Sequence, residues 1–155
     1  MTELSRYFVG SFEHRLDAKG RVSLPSDFRE ALRDQGSANE FVLLPPSDKS
    51  CLQALSKEGH RGLVQRLREI DYGSEEEEEA TRQLYIASAR MVSVEDTGRF
   101  VLGREHRAQL GCPNGGDLVF RGDGAAFEIW EKSEHDARYA QKPAKAAPIR
   151  LGKLF

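Results

Sequence analysis

Three basic residues surround a predicted tight turn near the start of the sequence. Arg15, Lys19 and Arg21 fall within seven residues, and Asp17 is the acid among them. Lysine and arginine bind phosphate, and a bidentate arginine also recognises the O6 and N7 atoms of guanine. The residue types therefore predict a surface that can bind nucleic acid. Composition alone equally fits a solvated hairpin in which Asp17 pairs with Arg21.

Two strands and a turn are predicted to position these cations. Apolar and polar residues alternate from Tyr7 to Leu16, as in a strand with one buried face. Asp17 to Gly20 is typical of a tight turn, because Asp accepts bonds from downstream amides and Gly adopts positive φ. A second strand, Arg21 to Leu24, then completes a β-ribbon of a size that enters the major groove of DNA.

A helix, two strands and a helical middle are predicted after this unit. The Ser26 side chain is expected to cap the first helix, which carries an apolar stripe of Phe28, Ala31 and Leu32. The predicted elements are a helix over Asp27 to Asp34, strands over Phe41 to Leu44 and Cys51 to Leu55, and two helices within Ser56 to Ala89, separated at Gly73 and Ser74.

A weaker copy of the first unit returns 78 residues later, when Gly20 is aligned with Gly98. This offset also pairs Arg21 with Arg99 and preserves the apolar positions of the strands. One such half cannot bury both faces of its hairpin. We therefore expect the two halves to pair with each other or with another chain.

The charge is unevenly distributed. A net charge of −2 over 155 residues argues weakly against a nucleic-acid partner. However, five consecutive acids form Glu75 to Glu79, whereas residues 137–155 hold five Lys or Arg and no acid. We interpret the acidic run as a solvated helix start, with a partner-binding patch as the alternative. Residues 134–155 are predicted to be a basic, disordered tail, either a solvated appendage or a nonspecific DNA contact.

Enzyme, metal and membrane classes find no support in the sequence. It contains no GxSxG, P-loop, HExxH or Rossmann motif. Cys51 and Cys112 are predicted to be buried, unpaired thiols. The histidines lack metal-ligand spacing and are interpreted as surface or strand residues; they are His14, His60, His106 and His135. No apolar run approaches the roughly 20 residues of a membrane span. We expect a cytoplasmic protein that is not an enzyme and needs neither metal nor cofactor.

The segment FEHRLDAKGRVSLPSDFRE, followed later by YIASARMV and FEIWEKSE, resembles the MraZ family of bacterial transcriptional regulators. The resemblance covers roughly residues 7–133 and includes the Asp-x-x-x-Arg motif of the family, here Asp17 to Arg21. It implies an α+β fold with two AbrB-like (SpoVT-AbrB) repeats of the swapped-hairpin, double-split β-α-β type, which form a small β-barrel with helices. The repeats are 7–55 and 91–133, and residues 56–90 form a helical linker.

The resemblance also implies a function. Such a protein is nucleoid-associated, represses the division and cell-wall gene cluster, and binds G-rich direct repeats in the promoter as a homo-oligomeric ring. The family motifs place Lys19, Arg21 and Arg99 on double-stranded DNA, and the local charge adds Arg15. The turn-shaping residues are Asp17, Gly20, Glu95 and Gly98. The alternative is an oligomeric assembly or protein-interaction module that does not bind DNA.

The second motif departs from the family pattern. Glu95 stands where Asp is usual, and Gly103 where proline is usual. The longer Glu side chain reaches neighbouring amides less well, so we expect either that Asp96 replaces it or that the second turn is looser. The second unit also has no excess of positive charge. The first repeat is therefore expected to carry more of the DNA affinity.

Overall fold

Eight strands form two antiparallel sheets in the computed structural model, which describes residues 7–37, 39–139 and 147–155. The strands are β1 Ser11–Leu16, β2 Arg21–Ser23, β3 Glu40–Leu44, β4 Leu52–Leu55, β5 Arg90–Ser93, β6 Arg99–Val101, β7 Gly116–Asp123 and β8 Ala126–Glu131. The α-helices are α1 Ser26–Asp34, α2 Lys57–Leu67, α3 Glu75–Arg82, α4 Arg104–Gln109 and α5 Lys132–Tyr139. A π-helical turn, Gln83–Ala87, extends α3.

The strand order relates the two halves of the chain. Six strands form one sheet in the order β1-β7-β8-β4-β3-β5, and β2 pairs with β6 in a separate two-stranded ribbon. A shift of 78 residues places β1 on β5, β2 on β6, α1 on α4 and β3 on β7. The β1–β7 pairing then corresponds to β5–β3, while β2–β6 corresponds to itself. The pairing pattern is therefore approximately twofold within one chain.

The predicted ribbon between the first two strands is wrong. β1 pairs with β7, and β2 pairs with β6, so the chain leaves one sheet for the other at the turn between β1 and β2. Burial explains the exchange. The central ribbon residues, Val22 and Phe100, are both buried, and a lone hairpin could not cover them. The expectation that the two halves pair with each other is confirmed by β2 and β6.

Two predicted boundaries near the first turn also differ from the structure. The first ladder begins at Ser11 rather than Tyr7, because Gly10 adopts a φ of 97° and Phe8 makes only an isolated bridge to Gly124. The first helix begins at Ser26 without a side-chain cap. Pro25 is at the N-cap position instead, with its φ of −53° set by the ring.

The main core is built from both halves and is rich in phenylalanine. The predicted stripe of α1, which consists of Phe28, Ala31 and Leu32, is buried in it. Phe28 and Phe127 have ring centroids 4.9 Å apart, and Phe41 meets Phe100 edge-on at 5.2 Å. Such aromatic pairs add to the stabilisation from apolar burial. The base of the β2–β6 ribbon is therefore anchored in a shared, well-packed core.

The helical middle follows the prediction. The chain breaks between α2 and α3, and the acidic run Glu75 to Glu79 begins α3 as expected. The Ser74 hydroxyl accepts a bond from the Glu77 amide at 3.0 Å, which caps this helix. The five carboxylates thus lie at the positive end of the helix dipole.

The predicted tail begins within a helix. Residues 134–139 belong to α5, where Tyr139 packs against Trp130 with ring centroids 5.7 Å apart. The Glu131 carboxylate accepts bonds from the Ser133 and Glu134 amides and so fixes the start of this helix. Of the rest of the predicted tail, residues 140–146 lie outside the described residues. Residues 147–155 are exposed.

The thiols and histidines are only partly as predicted. Cys51 and Cys112 are buried and unpaired, as expected. Burial raises the pKa of the Cys51 thiol to about 12. His106 is buried on α4, so its interpretation as a surface or strand residue is wrong. None of the helices in the described residues has the length and apolar character to cross a membrane.

Candidate functional site

The β2–β6 ribbon brings two of the predicted site residues together. Arg21 is opposite Val101, Val22 is opposite Phe100, and Ser23 is opposite Arg99. Side chains alternate between the two faces of a strand, and Val22 and Phe100 are buried. Arg21 and Arg99 therefore project from the outer, solvent-facing side of the ribbon. Strand geometry puts their Cα atoms about 8 Å apart.

The Asp17 carboxylate organises the first turn. Its Oδ1 accepts bonds from the amides of Lys19 at 2.9 Å and Arg21 at 2.8 Å, and its Oδ2 accepts from Arg21 Nε at 2.7 Å. The backbone amide of Arg21, followed by its side chain, lowers the pKa of Asp17 to about 2. The carboxylate therefore holds Arg21 by Nε alone. The terminal guanidinium nitrogens bond to no other described residue and can reach a ligand.

The other two predicted cations of this turn differ in their surroundings. Arg15, on β1, is opposite Asp117 on β7, and its Nη1 lies 3.2 Å from Asp117 Oδ1. The sequence gave no sign of this partner, which is 102 residues away. Lys19 is exposed near the tip of the turn, and its ammonium group has no acidic partner among the described residues. Lys19 is thus available to an anion, whereas Arg15 is partly neutralised.

The second turn keeps the backbone shape of the first. The Glu95 amide donates to the Arg99 carbonyl at 2.8 Å, and the Gly98 amide donates to the Glu95 carbonyl at 2.8 Å. Gly20 and Gly98 have φ values of 89° and 90°. The expectation of a looser second turn is therefore wrong. Within the described residues, the Glu95 carboxylate accepts only a 3.5 Å contact from the Thr97 hydroxyl, so it does not act as Asp17 does.

Each turn is held by an arginine from the opposite half. Arg29 Nη2 donates to the carbonyls of Glu95 at 3.3 Å and Asp96 at 2.8 Å. Arg107 Nη1 donates to the carbonyls of Ala18 at 3.2 Å and Pro113 at 3.1 Å. Asp96 thus contributes its backbone carbonyl to the second turn. The recurrence of arginine at the 78-residue offset is the sequence signal for this pair, but it does not reveal what they contact.

The two glycines allow each turn to pack against the opposite half. The Leu102 amide donates to the Gly20 carbonyl at 2.7 Å, and the Leu24 amide donates to the Gly98 carbonyl at 2.8 Å. A Cβ atom on Gly20 would lie 2.5 Å from the Leu102 carbonyl oxygen. Glycine is therefore required at Gly20 both for its positive φ and for this close approach.

The chemistry of this surface is anion recognition. It presents the guanidinium groups of Arg21 and Arg99 and the ammonium group of Lys19, all of which donate hydrogen bonds and carry positive charge. The described parts of the chain contain no group of three or more His, Cys, Asp or Glu residues placed to hold a metal ion.

Comparison with known proteins identifies the family. A family model described as "MraZ protein, putative antitoxin-like" matches residues 7–82. The transcriptional regulator MraZ of Gluconacetobacter diazotrophicus is 36% identical over 149 residues, which cover 93% of this chain and 90% of that protein. The transcriptional regulator MraZ of Acetivibrio thermocellus is 32% identical over 142 residues, which cover 92% of this chain and 93% of that protein. Because these matches span nearly the whole chain, it belongs to the MraZ family of transcriptional regulators.

Proposed function

We propose that this regulator binds double-stranded DNA sequence-specifically through the outer face of the β2–β6 ribbon and its two flanking turns. The observation that carries this proposal is the presence of Arg21 and Arg99 on one exposed face, each beside a turn of the same backbone shape. Two-stranded ribbons fit the major groove, where arginine recognises guanine.

The individual cations have different proposed roles. Arg21 recognises guanine, because Asp17 fixes its Nε and leaves the terminal nitrogens for O6 and N7. Lys19 binds phosphate. Arg99 acts at the second turn, and Arg15 adds a contact if it exchanges Asp117 for DNA. The position equivalent to Lys19 in the second turn is Thr97, so the first turn carries more positive charge and more of the affinity.

The proposed target is a set of G-rich direct repeats in the promoter of the division and cell-wall gene cluster, which the protein represses. We propose two AbrB-like repeats, 7–55 and 91–133, around a small β-barrel, with 56–90 as the linker. The 78-residue correspondence of strand pairings supports this division. The basic residues after Tyr139 would add nonspecific affinity.

A homo-oligomeric ring, located in the cytoplasm on the nucleoid, completes the proposal. One small ribbon makes few base contacts, whereas several ribbons on one ring make the later binding steps intramolecular. The outer strands of the six-stranded sheet, β1 and β5, have unpaired edges within the described residues that could meet other subunits.

The test combines footprinting and gel shifts on the DNA upstream of the protein's own gene. We expect protection of repeated G-rich boxes, and an affinity that falls steeply as salt rises, because phosphate neutralisation releases counterions. A fragment with the boxes scrambled is the control. If no salt-sensitive binding is detected, the protein is instead an assembly or protein-interaction module.

A further inference from the structure

We infer that Arg29 and Arg107 are positioning residues for DNA recognition, each holding the turn of the opposite half in its binding shape. This inference deepens the proposed function and rests on it. Arg29 lies on α1, beside the first turn in sequence, yet it donates to two carbonyls of the second turn. Arg107 lies on α4 and donates to a carbonyl of the first turn.

The surroundings of the two guanidinium groups favour this role. The Nε atoms of Arg29 and Arg107 are both buried without a hydrogen-bond partner in the described structure. A Cβ atom on Gly98 would lie 3.3 Å from Arg29 Nη1, and one on Gly20 would lie 3.2 Å from Arg107 Nε. Each guanidinium group therefore packs directly on the glycine of the opposite turn. Partial burial of a charged group is costly, and the carbonyl acceptors offset that cost.

The two turns should depend unequally on these arginines. The first turn also has three bonds to the Asp17 carboxylate. The second turn lacks them, because Glu95 does not reach the equivalent amides. Arg29 compensates by bonding two carbonyls of the second turn, whereas Arg107 bonds one carbonyl of the first. Removal of Arg29 should therefore disturb the second turn more than removal of Arg107 disturbs the first.

A double-mutant cycle on DNA binding separates positioning from direct contact. We expect Arg29→Ala to weaken binding by about as much as Arg99→Ala, within the roughly 5- to 150-fold range of one arginine–guanine contact. In an Arg99→Ala background the further loss should be under about 2-fold, because the residue being positioned is already absent. In an Arg21→Ala background the full loss should remain. Equal losses in both backgrounds would overturn the inference.

A conservative variant distinguishes positioning from phosphate binding. Arg29→Lys keeps the charge and the aliphatic stem, but its ammonium group lacks the planar fork that spans two carbonyls. It should fail to restore binding if Arg29 positions the turn. Full restoration would indicate a phosphate contact and would contradict the inference. Arg33→Ala, an exposed cation on the same helix, is the matched control and should bind normally.

A measurement without DNA tests the contact itself. Amide NMR spectra of Arg29→Lys should show shifted signals for Gly98 and Arg99, with Gly20 and Arg21 unchanged. Arg107→Lys should shift Gly20 instead, by a smaller amount. Unchanged Gly98 signals would overturn the inference even if DNA binding is observed. If the NMR changes occur but the wild-type protein does not bind DNA, the turn contact stands, and both the proposed function and the DNA-positioning role fail.

Discussion

Arg21 and Arg99 lie on one face of a ribbon to which each half of the chain contributes a single strand, although 78 residues separate them in sequence. The shared face follows from the pairing of β2 with β6 and from the burial of Val22 and Phe100 beneath it. The proposed contacts of the two halves therefore reach the same stretch of DNA.

Substitution of either arginine should weaken binding to the G-rich promoter fragment. Loss of one arginine–guanine contact costs about 1–3 kcal/mol, and the sequence preference at the contacted position should relax with it. We expect Arg21→Ala to have the larger effect, since Lys19 and Asp17 act with Arg21 and have no counterparts in the second turn. Gel-shift titration at fixed salt measures both effects. Unchanged affinity and preference in Arg21→Ala would exclude its proposed role.

The Asp17 carboxyl should titrate well below other exposed aspartates. Its pKa is lowered from 3.8 to about 2, first by the Arg21 amide and then by the Arg21 side chain. Because the folded pKa is depressed, the stabilisation of the turn is complete above pH 3.8 and is lost as the pH falls through about 2. NMR titration of the side-chain carboxyl carbon should give a midpoint near 2.

Asp17→Asn provides the control for this titration. The variant should remove the change in the Arg21 amide signal between pH 4 and 2. A wild-type midpoint near 3.8 would show that the Asp17–Arg21 contacts do not persist in solution.

Gly20→Ala should destabilise the protein more than Gly36→Ala. Both glycines have positive φ, 89° and 84°, which costs a residue with a side chain about 1–2 kcal/mol. Only at Gly20 would the new Cβ atom meet backbone, 2.5 Å from the Leu102 carbonyl oxygen; at Gly36 no atom lies within 4 Å. Urea unfolding of both variants measures the difference. Equal destabilisation would show that the turn can move away from Leu102.

Removal of Lys49 should destabilise the fold without affecting DNA binding. Glu128 is only 1% exposed, and it accepts bonds from Lys49 Nζ at 3.1 Å and Trp130 Nε1 at 2.8 Å. Lys49→Met would leave this carboxylate without its cation, at a cost of about 1–3 kcal/mol.

Lys57→Met is the matched control for this pair. It breaks a more exposed ion pair, with Glu40 at 2.8 Å, and should cost no more than about 1 kcal/mol. Thermal or urea unfolding compares the two variants. Equal costs would mean that Glu128 finds another partner or becomes protonated.

Local chemistry made several features predictable. Asp17 and Gly20 have the residue types that a tight turn demands, and the stripe of Phe28, Ala31 and Leu32 marks the buried face of α1. The acidic run at the start of α3 is equally local, because its cap and carboxylates lie within one helical turn. In each case the residues that determine the feature are neighbours in sequence.

Features that depend on distant residues were harder to predict. The alternation of β2 shows that Val22 is buried, but it does not show that β6 rather than β1 provides the partner strand. Similarly, nothing near Arg15 announces Asp117, and nothing near Arg29 announces the carbonyls of Glu95 and Asp96. The tail was predicted to begin too early because the aromatic contact of Tyr139 with Trp130 stabilises α5.

The exchange of strands between halves has a consequence for how the binding surface can vary. Because β2 and β6 belong to one polypeptide, their association is unimolecular and does not weaken on dilution, as it would between separate chains. A substitution in β2 is also not duplicated in β6, unlike a substitution in a symmetric dimer. One motif can therefore diverge, as Glu95 has, while the other keeps its original residues.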